Sequence, residues 1–117
     1  MSDSKNDVLG SSMVAGLTDL VAVAPAAIVS RVLARTTGGS VTLFAFAAGQ
    51  ELSEHTAPFD ALVQVVDGRM EISIDGEPMT VTASEVVVMP ANVPHALRAM
   101  EASRMMLIML REAGEET

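Results

Sequence analysis

The sequence predicts an all-β domain, either a sandwich or a barrel of antiparallel strands. From residue 28 onward, short apolar or alternating runs recur, and turn-forming residues separate them. Turn signals spaced about every 8–12 residues are typical of sandwiches and barrels, and not of alternating strand–helix units. The runs are IVSRVLAR, VTLFAFA, ALVQVV, MEISI, MTVT, EVVVM, HALRAM and RMMLIML.

The clearest single element is a hairpin centred on Asp75 and Gly76. A type I′ turn requires positive φ at both central positions, and Asp-Gly is one of the pairs that best meets this requirement. The turn predicts the pairs Ile72–Met79 and Met70–Val81 on one face, and Glu71–Thr80 and Arg69–Thr82 on the other. One face is then apolar and the other polar, as a half-buried hairpin requires.

The run RMMLIMLR, residues 104–111, is apolar between its two arginines. Periodicity alone does not distinguish a strand buried on both faces from a short core helix. We favour a strand, because the run has no Gly or Pro break and follows a series of predicted strands. A strand buried on both faces of so small a domain indicates that one face contacts a partner subunit. We therefore expect a homodimer.

Length and composition limit the organisation and the partners. A chain of 117 residues fits one domain. We expect an N-terminal segment over residues 1–27, partly disordered or adding an edge strand, a barrel over residues 28–112, and a C-terminal tail over residues 113–117. The formal net charge of −8 disfavours nucleic acid as a partner.

The same composition restricts location and chemistry. No apolar run reaches the roughly 18 residues that span a bilayer, and the acidic start lacks the features of a signal peptide, so we expect a cytoplasmic protein without membrane partners. The chain has no cysteine, which excludes disulfides and thiolate ligands. A metal would need histidine, carboxylate, amide or water ligands.

Two segments, each with one of the chain's two histidines, carry a family resemblance. The first motif of the cupin superfamily reads Gly, five residues, His, one residue, His, three or four residues, Glu, six residues, Gly. Gly49, His55 and Gly68 match it within GQELSEHTAPFDALVQVVDG. The second motif reads Gly, five residues, Pro, one residue, Gly, two residues, His, three residues, Asn, and Pro90 and His95 match it. The chain thus resembles a small single-domain cupin over roughly residues 40–110, which implies an antiparallel double-stranded β-helix, the jelly-roll barrel.

The family's metal-ligand set is incomplete in this sequence. The second histidine of the first motif falls on Ala57, and its acidic position falls on Ala61. Of the family's four protein ligands, only His55 and His95 remain. The glycines and the asparagine of the second motif fall on Ser84, Asn92 and Ala99.

The resemblance implies that His55 and His95 lie on neighbouring strands and point into the barrel. Two imidazoles are fewer than the three protein ligands of catalytic zinc sites, or the two histidines and one carboxylate that hold non-haem iron. Because side chains alternate along a strand, we expect Glu51 to share the face of His55 and to be the substitute carboxylate. Two alternatives stay open: one divalent first-row transition metal bound weakly or partially, or a metal-free pair that bonds backbone carbonyls or shares a proton or a water.

A ligand pocket is a stronger expectation than a metal site, since barrels of this size can hold one small ligand. We expect Ala57, Phe59, Ala61 and Met89 to line it. The predicted function is small-molecule binding, with no reaction assigned and enzymatic activity left open. The first alternative is a metal-dependent dioxygenase or isomerase that uses both histidines and a recruited carboxylate. The second is an interaction module that acts through its dimer surface.

Overall fold

The computed structural model describes residues 9–111, which fold almost entirely into antiparallel strands. The elements are α1 (Leu17–Leu20), β1 (Ile28–Thr36), β2 (Gly39–Phe46), β3 (Glu51–His55), β4 (Asp60–Asp67), β5 (Arg69–Ile74), β6 (Glu77–Thr82), β7 (Val86–Met89), β8 (His95–Ala99) and β9 (Ser103–Leu110). The predicted all-β class is confirmed. Among the described residues, no helix is long and apolar enough to cross a membrane.

The strands form two sheets that face each other. A five-stranded sheet has the order β1-β2-β9-β4-β7, and a four-stranded sheet has the order β3-β8-β5-β6. Neighbouring strands are often distant in sequence, as in a jelly roll. This topology places β3, which ends at His55, directly beside β8, which begins at His95.

The hydrophobic core fills the space between the sheets. Along β4 the alternate residues Ala61, Val63 and Val65 point inward and are buried, as the period-two pattern of a strand requires. They meet Phe46 of β2 and Met105 of β9. Burial of each large apolar side chain contributes about 1.5–3 kcal/mol, so this layer is the main source of stability.

The hairpin prediction is confirmed in its turn and in its register. Asp75 and Gly76 have φ values of 54° and 82°, as a type I′ turn requires. All four predicted pairs occur between β5 and β6: Ile72–Met79, Met70–Val81, Glu71–Thr80 and Arg69–Thr82.

The segment before β1 differs from the expected edge strand. Residues 9–27 contain the short helix α1 and no strand, since Gly16 and Pro25 interrupt a run rich in Ala and Leu. The segment instead covers part of the outer face of the five-stranded sheet, where Val21 packs on Leu43 and Ala45. Residues 1–8 and the predicted tail over residues 113–117 lie outside the described residues.

The last apolar run forms β9, as predicted. Its inward residue Met105 lies in the core, and its outward residue Met106 packs against the cluster that Val21 of the N-terminal segment forms with Leu43 and Ala45. Part of the two-sided burial of β9 therefore comes from the chain itself and needs no partner subunit.

Candidate histidine site in the barrel

The two histidines meet, as the sequence analysis predicts. His55 and His95 are paired between β3 and β8. Their Nε2 atoms lie 3.2 Å apart, and the ring centroids are 4.4 Å apart with nearly perpendicular planes. His95 is only 5% exposed, whereas His55 is exposed to solvent. The pair therefore joins the interior of the barrel to its surface.

A backbone carbonyl orients each imidazole ring through its Nδ1 atom. The Nδ1 atom of His55 lies 2.7 Å from the carbonyl oxygen of Ser53, and the Nδ1 atom of His95 lies 3.3 Å from that of Val93. A carbonyl oxygen only accepts hydrogen bonds, so each Nδ1 carries a hydrogen and donates it. In the neutral pair, both Nε2 atoms then present lone pairs to each other. The two Nε2 lone pairs can therefore accept a proton, bind a metal ion, or accept a hydrogen bond from a donor group of a ligand.

Burial affects the charge of the inner ring. The pKa of His95 is lowered from its ordinary value of 6.5, first by burial and then by the nearby His55. The carbonyl of Val93 opposes this shift in part. His95 is consequently neutral at neutral pH and offers its Nε2 lone pair to the cavity.

The histidines form one wall of a cavity of about 70 Å³ inside the barrel. Three of the four predicted lining residues, Ala57, Ala61 and Met89, do line it. The other walls come from leucines and methionines: Leu52, Leu97, Met105, Leu107 and Met109. The cavity thus has apolar walls and one polar edge. Leu52 and Leu97 belong to neither motif, and only their closeness in sequence to His55 and His95 could have marked them as lining residues.

Phe59, the fourth predicted lining residue, does not line the cavity. Its ring instead lies beneath the guanidinium of Arg111, 5.2 Å from the ring centroid. Phe59 precedes β4, which begins at Asp60, so the strand alternation that points Ala61 inward does not extend to it.

Glu51 does not join the histidines, and the reason is a β-bulge. The register between β3 and β8 shifts between Leu52 and His55, so both of these residues line the cavity. Glu51 instead lies opposite Arg98 in the register of β3 and β8, and its side chain is exposed. Over residues 9–111, no group of three or more His, Asp or Glu side chains is arranged to hold a metal ion. Among the described residues, the two imidazoles are therefore fewer protein donors than the three that catalytic zinc sites use.

The two motif loops are tied together beside the cavity. The amide of Ala91 donates a hydrogen bond of 2.8 Å to Asp60 Oδ1, and the amide of Asn92 donates one of 2.7 Å to the carbonyl oxygen of Ala57. Asn92 and Ser84, which replace the glycines of the second motif, have positive φ values of 64° and 72°. Asn is among the residues that best tolerate this conformation, so the motif's backbone shape persists without its glycines.

The comparisons with known proteins agree with this architecture. Residues 42–111 match the family model described as the cupin domain. The chain belongs to the cupin family. This cupin is 35% identical to the conserved SPY1581 protein of unknown function from Streptococcus pyogenes, with a TM-score of 0.85 over 91% of this chain and 93% of that one.

Two further relatives are larger than this cupin. It is 37% identical to a cupin 2 conserved barrel domain protein from Leptotrichia buccalis, with a TM-score of 0.77 over 80% of this chain and 45% of that one. It is also 33% identical over 63 residues to polyketide synthase CurC from Streptomyces cyaneus. That match covers 53% of this chain and 41% of CurC, so it spans less than half of that relative.

Proposed function

We propose that this cupin binds a small organic molecule in its barrel, with an apolar group among the methionines and a polar oxygen at the histidine pair. The observation that carries the proposal is the cavity, which combines apolar walls with two converging Nε2 atoms. A pocket that is mostly apolar and has a few convergent polar groups is the usual form of a small-molecule site.

The cavity volume limits which part of the ligand is enclosed. The enclosed space is about 70 Å³, whereas an engineered protein cavity that holds benzene measures about 150 Å³. Only one end of a ligand therefore fits between the sheets, and the remainder extends past the exposed His55. A phenol or enol hydroxyl would donate its hydrogen to an Nε2 lone pair, whereas a carboxylate oxygen would accept a hydrogen bond from the pair when the pair holds a proton. The similarity to CurC makes a polyketide one ligand class to test.

Weak or partial binding of a divalent first-row transition metal is a second part of the proposal. His55 and His95 would be its protein ligands, and water or the organic ligand would fill the other positions. The alternative function, a metal-dependent dioxygenase or isomerase, needs a more complete donor set than the one around these histidines. We derive no reaction step through a metal for this reason.

Elemental analysis by mass spectrometry tests the metal question first. Tag-free protein purified without chelator is expected to carry clearly less than one equivalent of any transition metal, and His55→Ala is expected to remove what is retained. Near-stoichiometric metal that both His55→Ala and His95→Ala abolish would favour the enzyme alternative. Metal that persists unchanged in both variants would contradict binding at the histidine pair.

Methionine methyl NMR tests the ligand proposal. A panel of small carboxylates, phenols and enols is expected to shift the methyl signals of Met89, Met105 and Met109, which line the cavity. Met79, which is 37% exposed on β6, serves as the internal control. An Ala61→Leu variant fills the cavity and should abolish the shifts. If no member of the panel perturbs the three cavity signals, or if Ala61→Leu leaves the shifts intact, the proposal fails.

A further inference from the structure

An open groove lies at one end of strands β1, β2 and β9, next to the barrel cavity. Its volume is about 230 Å³, and Arg35, Ser40 and Met109 are among its lining residues. Met109 also lines the cavity that holds the histidine pair, so the two spaces adjoin at this residue. A methionine side chain has three rotatable bonds and adapts its shape easily, so Met109 can open one space to the other.

A single row of side chains runs from the cavity to the groove across the five strands of the larger sheet. Met89 of β7 pairs with Ala61 of β4, which pairs with Met109 of β9. Met109 in turn pairs with Ser40 of β2, which pairs with Arg35 of β1. Paired residues on adjacent strands share a face, and Met109 faces the cavity, so the whole row lies on the inner face of the sheet. Strands lie about 4.8 Å apart, so about 10 Å of sheet separates Arg35 from Met109.

The row changes from apolar and buried to polar and exposed along its length. Met89 and Ala61 are 3% and 4% exposed. Met109 and Ser40 are half-buried, and Arg35 is exposed. The row therefore presents methyl and thioether groups to the cavity, then a hydroxyl, and then a guanidinium. This order is complementary to a molecule that has an apolar body and a negative charge at its outer end.

The guanidinium of Arg35 gives the outer end of the row its charge. Among the described residues, no carboxylate lies within salt-bridge distance of Arg35, whereas three other arginines each pair with one: Arg69, Arg98 and Arg104. Ser40, which lies opposite Arg35, has a hydroxyl that can donate a hydrogen bond to an anion. The net charge of −8 repels anions from much of the surface, so this end of the groove is a local exception.

We propose that the molecule bound in the barrel is an elongated amphipathic anion, with its apolar end in the cavity and its carboxylate or phosphate at Arg35. This inference rests on the proposed function and adds the class of the ligand and its second contact. The apolar body passes Met109, and the hydroxyl of Ser40 donates a hydrogen bond to the anion. Neither space alone reaches the roughly 300 Å³ at which ligand pockets usually begin, whereas a molecule that occupies both has about that volume.

Methionine methyl NMR with two probes, octanoate and its neutral methyl ester, tests the proposal. Octanoate is expected to shift the signals of Met89 and Met109 and to bind about five- to tenfold more tightly than the ester, because its charge-assisted contact with Arg35 is exposed to solvent. Arg35→Gln should remove this preference. Arg69→Gln, on strand β5 of the other sheet, removes an equal charge and should keep it. Equal affinities for the two probes in the parent protein overturn the proposal, as does a preference that Arg35→Gln leaves intact.

The same signals separate this proposal from the proposed function on which it rests. If phenols or enols shift the cavity methyl groups and octanoate does not, the barrel binds small molecules but the elongated anion is wrong. If neither octanoate nor any phenol or enol shifts them, both proposals fail.

Ser40→Glu is a second test that keeps Arg35 in place. The introduced carboxylate would lie opposite Arg35 and neutralise it, so octanoate should bind no more tightly than the ester. Thr80→Glu adds the same charge to the exposed strand β6 of the other sheet and should leave the preference unchanged. An equal loss of preference in both variants would mean that only net charge matters, and would overturn the assignment of the anion to the groove.

Discussion

Replacing Gly68 by alanine should destabilise this cupin far more than the same change at Gly49, although both glycines belong to the first motif. Both have positive φ, +88° at Gly68 and +85° at Gly49. A non-glycine residue in this region costs about 1–2 kcal/mol, so the backbone term is similar for the two variants. Their surroundings differ, because a Cβ at Gly49 would meet no atom within 4 Å.

A Cβ at Gly68 would collide with backbone. It would lie 2.5 Å from the carbonyl oxygen of Ala102 and 2.6 Å from Ser103 Cα, and it would also meet Ser103 Oγ. Ser103 is fully buried, and its hydroxyl accepts a bond of 2.9 Å from the amide of Arg69. Displacing it leaves buried polar groups without partners, which costs about 1–3 kcal/mol.

The total loss of unfolding free energy is therefore about 2–5 kcal/mol for Gly68→Ala and about 1–2 kcal/mol for Gly49→Ala. Urea unfolding followed by far-UV circular dichroism measures both, since the chain has no Trp or Tyr to provide a fluorescence signal. Equal unfolding midpoints for the two variants would refute the explanation that close approach of backbone requires Gly68.

Two predictions concern the histidine site. Because folding lowers the pKa of His95 from 6.5, the folded state disfavours its protonated form. The stability that the folded state gains with neutral His95 is therefore complete above pH 6.5. This stability is lost as the pH falls below 6.5 and through the lowered pKa. Urea midpoints at neutral and mildly acidic pH should differ less in His95→Gln than in the parent protein; an unchanged difference would assign the effect to another group. The double variant Ala57→His/Ala61→Glu restores the family's ligands, so elemental analysis should find near-stoichiometric divalent metal, and added zinc should raise the unfolding temperature. The matched variant Ala57→Gln/Ala61→Gln should do neither, and a restored set that stays metal-free would show that the two alanines do not explain weak binding.

Parts of the fold and of the site can be predicted from the sequence because they depend on interactions between residues that are close in the chain or have a fixed motif spacing. The Asp75–Gly76 turn fixes the register of the β5–β6 hairpin, because only one pairing puts its apolar residues on one face. The spacing of the two motifs predicts the contact between His55 and His95, since it places them on paired strands. Ala57 and Ala61 contribute to the apolar lining of the cavity, together with leucines and methionines that the motifs do not mark.

Other parts of the site depend on contacts between distant strands. The position of Glu51 is mispredicted because strict alternation holds only without a bulge, and the shift between Leu52 and His55 arises from pairing with β8. Phe59 is mispredicted because its place beneath Arg111 joins two residues far apart in the chain.

The sequence by itself determined the all-β class, the hairpin, and the two histidines that remain from a larger ligand set. These features depend on turn chemistry and motif spacing, which act over a few residues. The tertiary structure decided that the two Nε2 atoms face each other, because the carbonyls that orient the rings, one in the bulged strand β3 and one in the loop before β8, come together only when these strands pair. It also decided which half of the outer sheet face the N-terminal segment covers, because Val21 meets Leu43 only once the sheet is assembled.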